Sequence, residues 1–274
     1  DSSGNTTIVQ RVVNVVDTTL PVINLVGSTS ENIEVGSVYT DPGAIATDNY
    51  DGDITNLIVY TGSVDPNTTG TYYLQYNVSD SEGNNAITTT RTVNVGDQIP
   101  PTISLFGLQS ITMEVGSSYS ESGASAIDNY DGNISSLIQV SGSVDPSVVS
   151  IYTIDYDITD SSGNAATTVT RTVNVVDTTP PSVSLNGLQI ETVTRGSLFN
   201  DLGVSTNDNY DASSQITTIS VIRNGANEVV SSINTNLIDT YTITYSARDS
   251  SGNETATENQ VSRTVIIAPR VDAT

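Results

Sequence analysis

An interval of eighty residues governs this chain. It separates Pro21, Pro101 and Pro181, then Leu25, Leu105 and Leu185, then Gly36, Gly116 and Gly196, and finally Gly43, Gly123 and Gly203. The same spacing carries three copies of Asp-Asn-Tyr-Asp, at Asp48 to Asp51, Asp128 to Asp131 and Asp208 to Asp211. A sequence with this period folds as a tandem array. The repeat sets the expected boundaries at 18–97, 98–177 and 178–269. The third unit is divergent and lengthened by an insertion before Tyr241, and 270–274 is left as a tail or linker.

The first seventeen residues repeat the end of a unit. Asp1 to Asn5 matches Asp160 to Asn164, and Arg11 to Val15 aligns with Arg171 to Val175, so 1–17 reads as the terminal strand or strands of a preceding repeat. One explanation is a window cut from a longer array. The other is a free donor strand around Ile8 to Val16 that completes a sandwich in a neighbouring subunit and so builds a filament. Against the second, the third unit keeps its own final strand at Val261 to Ile267 and offers no vacant acceptor.

Within a unit the period drops to two. Tyr72, Leu74, Tyr76 and Val78 alternate with Tyr73, Gln75 and Asn77, and Tyr152 to Ile158 and Tyr241 to Tyr245 repeat the pattern, as expected of strands with one buried face. A composition rich in Thr, Ser, Val, Ile, Asn and Asp suits short strands joined by tight turns. Gly70-Thr71-Tyr72 and Asp239-Thr240-Tyr241 resemble the tyrosine corner of an immunoglobulin sandwich, with Leu74 where antibody domains carry a cysteine. The expected fold class is all-β: tandem immunoglobulin-like β-sandwiches of about seven strands each. The linkers Asp97 to Pro101 and Asp177 to Pro181 end in double prolines and are stiff, which predicts an elongated rod, each domain adding on the order of 35 Å.

Cysteine and histidine are absent, which removes disulfides, thiolate chemistry, imidazole metal ligands and the commonest general acid or base. All eight cationic residues are arginines, set against thirty-one carboxylates for a net charge of −23. Such a chain repels nucleic acid. No apolar run is long enough to span a bilayer, so no membrane insertion is expected of this segment, and no signal-peptide pattern is present.

The ordered set Glu34-Val-Gly36, Asp41-Pro-Gly-Ala44, Ala46-Thr-Asp-Asn49 and Asp80-Ser-Glu-Gly-Asn84, after a Pro-initiated strand, resembles hyalin-repeat and bacterial surface immunoglobulin-like domains. The resemblance covers nearly the whole chain. It implies an extracellular or cell-surface location and a structural role in adhesion or scaffolding, as an adhesin stalk or surface fibre. A phage fibre segment is an alternative. The third unit departs from the pattern with Ala212-Ser213 in place of Gly52-Asp53 and Gly132-Asn133.

Asp48, Asp51 and Asp53 place three carboxylates within six residues around a glycine, able to turn several oxygens toward one hard cation, and calcium is the natural candidate. The second unit offers Asp128, Asp131 and Asn133, and the third retains Asp208 and Asp211, so affinity is expected to fall along the chain. The competing reading is that these residues only mimic backbone turns. A second group joins Asp80 and Asn84 to Asp97, and Asp160 and Asn164 to Asp177; its alternative is a hairpin turn between the last two strands.

An enzyme is not expected, because an active site copied into each unit without histidine is less economical than three copies of one structural solution. The remaining functional alternative is an array of carbohydrate-binding modules using Tyr50, Tyr130 and Tyr210 as stacking platforms for surface glycans, set against packing of those rings over their own loops. Expected partners are thus adjacent repeats, further copies in a filament, or glycans. Asn224-Gly225 between two apolar pairs marks a hairpin inside the third unit's insertion.

Overall fold

Turn residues interrupt the chain so often that no strand exceeds nine residues in the computed structural model, which describes residues 2–270. The expected tail therefore falls, from residue 271 onward, outside the described residues. In the first repeat the strands are β1 (Val22–Leu25), β2 (Ser30–Glu34), β3 (Ala44–Asp48), β4 (Gly52–Asp53), β5 (Val59–Thr61), β6 (Gly70–Asn77) and β7 (Thr89–Gly96). They form two sheets, ordered β1-β3-β4 and β2-β7-β6-β5. All pairings are antiparallel except β2 with β7, which is parallel. Consecutive strands β1 and β2 thus lie in different sheets, and the chain changes sheet through Gly27, at φ +85°.

The alternation read from the sequence places Leu74, Tyr76 and Val78 inside, 3%, 1% and 5% exposed, where they meet Ile23, Ala46 and Ile54 from the facing side of the sandwich. The Tyr72 hydroxyl donates to the Thr68 carbonyl at 2.8 Å, and Tyr152 does the same to Val148 at 3.2 Å, which is the hydrogen bond of a tyrosine corner. Gly62 is fixed by close approach. It sits at φ +98°, and a Cβ there would lie 2.1 Å from the Tyr73 carbonyl oxygen.

The second repeat contains β8 (Thr102–Leu105), β9 (Ser110–Glu114), β10 (Ala124–Asp128), β11 (Gly132–Asn133), β12 (Gln139–Ser141), β13 (Ser150–Asp157) and β14 (Val169–Val176), in sheets ordered β11-β10-β8 and β12-β13-β14-β9. The third contains β15 (Ser182–Leu185), β16 (Ile190–Thr194), β17 (Val204–Asn207), β18 (Thr217–Arg223), β19 (Val229–Val230), β20 (Thr240–Arg248) and β21 (Val261–Ala268), in sheets β15-β17 and β16-β21-β20-β18-β19. Seven strands per repeat agree with the expectation. By compactness the described residues divide into 2–104, 125–139 and 157–168 on the one hand, and 105–124, 140–156 and 169–270 on the other.

The insertion of the third repeat is a hairpin, β18 with β19, but its turn is longer than an Asn-Gly pair. Asn224 N–H reaches the Glu228 carbonyl at 3.0 Å, and the left-handed residue is Asn227, at φ +65°. Gly225 serves a different need: a Cβ there would lie 2.3 Å from the Asp239 carboxylate, to which its own N–H donates at 3.2 Å.

Residues 5–20, which include the terminal strand expected around Ile8 to Val16, form no strand within this single chain. Val9 and Val15 are 86% and 93% exposed. The physical reason is that a strand needs a neighbouring edge to satisfy its backbone and a facing sheet to bury its side chains. All the final strands β7, β14 and β21 have their own partners already.

Those final strands carry a feature that sequence reasoning passed over. Arg91, Arg171 and Arg263 occupy equivalent places and are 0%, 1% and 0% exposed. The Arg91 guanidinium donates to the carbonyls of Ser28, Val26 and Gly43, and is ion-paired with Glu31 at 3.0 Å and Asp41 at 2.9 Å. Tyr76 donates its hydroxyl to the same Asp41. Arg171 repeats the arrangement with Phe106, Leu108, Gly123 and Glu121, and Arg263 with Asn186, Glu191 and Asp201. A planar fork of fixed donors joins both ends of the sheet-changing segment to the core, a task a lysine point charge could not perform.

Candidate metal centres

Each Asp-Asn-Tyr-Asp loop begins at the end of a strand, and its first aspartate turns back on the loop. Asp48 Oδ1 accepts the N–H groups of Tyr50 and Asp51 at 2.8 and 3.1 Å, an Asx turn that holds the carboxyl below its ordinary range. Asp128 and Asp208 make the same pair of bonds. The second oxygen is left over. Asp48 Oδ2, Asp128 Oδ2 and Asp208 Oδ2 are enclosed and accept no hydrogen bond.

Around those oxygens three carboxylate clusters assemble: Asp17, Asp48 and Asp80; Asp97, Asp128 and Asp160; Asp177, Asp208, Asp211 and Asp249. In each, one oxygen from every member lies within 4.8 Å of the others. Three sources contribute. The linker aspartate uses Oδ1 to cap its own following turn, as Asp97 does for Ile99 N–H at 3.2 Å. The loop supplies Asp48, Asp128 or Asp208. The hairpin before the last strand supplies Asp80, Asp160 or Asp249, each held by the Asn four residues on, as Asn84 holds Asp80 through both N–H groups at 2.7 Å. The amides of Asn84, Asn164 and Asn253 also each donate at 3.2 Å to the linker carbonyl of Asp17, Asp97 and Asp177.

This arrangement regroups the residues singled out from sequence. Asp48, Asp128 and Asp208 are brought together with the hairpin and linker aspartates, which sequence reasoning had kept as a separate set. Asp53 lies outside the carboxylate clusters, and both it and Asn133 cap the next turn, accepting Thr55 and Ser135 N–H at 3.0 Å. Asp51 and Asp131 bind the hairpin instead, each accepting a serine N–H at 2.7 Å, from Ser81 and Ser161. Asp211 makes the same bond to Ser250 at 2.6 Å and still belongs to its cluster.

The pairing of Asp80 with Asp97, and of Asp160 with Asp177, is corrected: Asp80 meets Asp17, and Asp160 meets Asp97. Strand β7, eight residues long, runs from the hairpin to the far end of the repeat, so Asp80 and the outgoing linker stand about 26 Å apart. A hairpin aspartate therefore faces the linker that comes in. Asp17 and Asp249 were missed for this reason, although both sit at the same repeat positions as residues that were found.

Burial pushes the Asp97 carboxyl up; the Ile99 N–H opposes this, and the facing charges of Asp128, Asp160 and Glu34 add to it. Asp177 is raised in the same way, by burial and then by Asp208 and Asp249 against the opposing Ser251 hydroxyl. Asp128 and Asp177 are 4% and 7% exposed, and Asp177 Oδ2 also lacks a partner. Buried anionic oxygens without donors, converging from three segments, form a hard-oxygen donor set of the type that holds calcium and not a thiophilic or imidazole-seeking metal.

The sequence profile of one family, described as Bacterial surface protein, Ig-like domain, matches residues 23–95, 103–175 and 183–267. The chain is 31% identical to hyalin of Strongylocentrotus purpuratus over 214 residues, 72% of this chain and 17% of that protein. It is 29% identical over 198 residues to an uncharacterized 81.3 kDa protein of Acholeplasma phage L2, 68% of this chain and 26% of the relative. It thus spans about a quarter or less of these relatives' lengths. Among solved structures, a lipoprotein of Bacteroides thetaiotaomicron, BT2262, is 17% identical with a TM-score of 0.27, covering 56% of this chain and 100% of that one. Three tandem matches that coincide with three seven-stranded repeats make this chain a member of the bacterial surface immunoglobulin-like domain family.

Proposed function

We propose that this chain is a non-catalytic structural segment of an extracellular surface protein, an adhesin stalk or surface fibre whose repeats are stabilised by calcium at the three aspartate clusters. The observation that carries the reading is the set of buried, partnerless carboxylate oxygens at Asp48, Asp128 and Asp177, each within a cluster of like charges. Like charges enclosed at this spacing repel unless a cation lies between them. The first two clusters supply three carboxylates each and the third supplies four, so the carboxylate count favours the third site, where the loops alone predict the weakest. Isothermal titration of chelator-stripped protein with calcium is expected to show three sites of roughly 0.1–1 mM affinity or better, the range of extracellular calcium modules. Zero heat and no competition for terbium would leave the loops as turns and the cation reading without support.

Glycan binding is a second reading, favoured by the exposure of Tyr50, Tyr130 and Tyr210 at 73%, 47% and 39%. Tyr50 is the most open of the three. Tyr50→Ala is expected to change stability by no more than about 0.5 kcal/mol, measured by calorimetry, while reducing retention on a glycan array. Unchanged retention would dispose of the glycan reading.

A further inference from the structure

Two glutamates outside the clusters touch them indirectly. Glu34 closes β2 and Glu114 closes β9, at equivalent places in the first and second repeats, while the third has Thr194. Glu34 Oε2 accepts the N–H of Gln98 at 2.7 Å, and its Oε1 accepts the side-chain amide of Asn129 at 2.9 Å. Gln98 follows Asp97, and Asn129 follows Asp128. Each donor is therefore the residue next to a member of the second cluster. Glu114 repeats this at the third: it accepts Thr178 N–H at 3.0 Å, the Thr178 and Thr179 hydroxyls at 2.6 and 2.7 Å, and the Asn209 amide at 3.2 Å. Thr178 follows Asp177, and Asn209 follows Asp208. The Thr178 hydroxyl first, against burial, and then the other donors hold the Glu114 carboxyl down at about 2.

We infer that calcium binding at the second and third clusters is coupled to this carboxylate clamp from the preceding repeat, so that the ion decides whether the linker is fastened to the repeat before it. This rests on the cation reading above. The physical link is one peptide long. With no cation, the three or four carboxylates repel, and the linker aspartate lies just past the end of β7 or β14, outside the strand. Its retreat carries Gln98 or Thr178 away from the glutamate. With the cation in place the linker and loop aspartates are fixed, and the linker and loop residues beside them present their donors to one carboxylate. Coupling of this kind is reciprocal: whatever the ion adds to the clamp, the clamp adds to ion affinity. The first cluster is an internal reference, since Asn49, the equivalent of Asn129, makes no side-chain hydrogen bond among the described residues, whereas its aspartates repeat the pattern.

The test uses the whole chain with calcium as the probe. Amide hydrogen exchange by NMR, alongside the calorimetric titration, is expected to show Gln98 and Thr178 N–H protected about tenfold more in calcium than in chelator. The variant Asn129→Ala with Asn209→Ala removes no charge and no cluster carboxylate. It is expected to weaken calcium binding about three- to tenfold at the second and third sites, as for loss of a hydrogen bond to a charged group, and to leave the first unchanged. If calcium binds while those two amides exchange at the same rate, or the variant binds with unaltered affinity, the coupling is overturned. If the wild-type chain binds no calcium, the cation reading itself fails and takes the coupling with it.

Discussion

Arg91→Met is expected to destabilise the first repeat by about 3–5 kcal/mol, the cost of breaking a buried ion pair from one side. The side chains are of similar volume, so the loss is electrostatic and not a cavity. Glu31 and Asp41 would keep their charges beneath an apolar chain, the carbonyls of Val26 and Ser28 would lose their donor, and that of Gly43 would keep only the Val26 N–H. Arg91→Lys is expected to recover little, because one ammonium cannot address three carbonyls and two carboxylates in separate directions. Differential scanning calorimetry supplies the measurement, with the second and third repeats, whose Arg171 and Arg263 are untouched, as references in the same trace. Adding Glu31→Gln and Asp41→Asn to Arg91→Met should restore part of the loss. A single variant that melts with the wild type would show that the guanidinium network contributes nothing net.

Calcium is expected to raise the melting temperature of chelator-stripped protein by about 6–20 °C at about 10 mM ion. At an affinity of roughly 0.1–1 mM, each occupied site adds about 1.4–2.7 kcal/mol by mass action, and about 4–8 °C accompanies each kcal/mol in a domain of this size. Magnesium should do much less, since it gives up its water shell reluctantly and tolerates crowded carboxylates poorly. Asp128→Asn should abolish the response of the second repeat and spare the others, because Asp128 belongs only to that cluster. Equal melting in calcium and chelator would mean that the enclosed oxygens of Asp48 and Asp128 are tolerated without an ion.

The sequence by itself determined the repeat, the all-β class, the seven-stranded sandwich and the face each long strand buries. These are properties of spacing, and a period of two or of eighty survives in one dimension: Leu74, Tyr76 and Val78 could be assigned to the interior before any strand had a neighbour. The residue types of the candidate centres were equally legible, since Asp48, Asp80 and Asp97 stood out as carboxylates at turns. What only the tertiary structure decided was which of them meet. An eight-residue strand carries the chain from one end of a repeat to the other, so aspartates near in sequence part, while Asp17 and Asp80, sixty-three positions apart, converge. The buried arginines belong to the same class of fact: an Arg between threonines in an alternating strand reads as an outward charge until the carbonyls of another segment arrive to receive it.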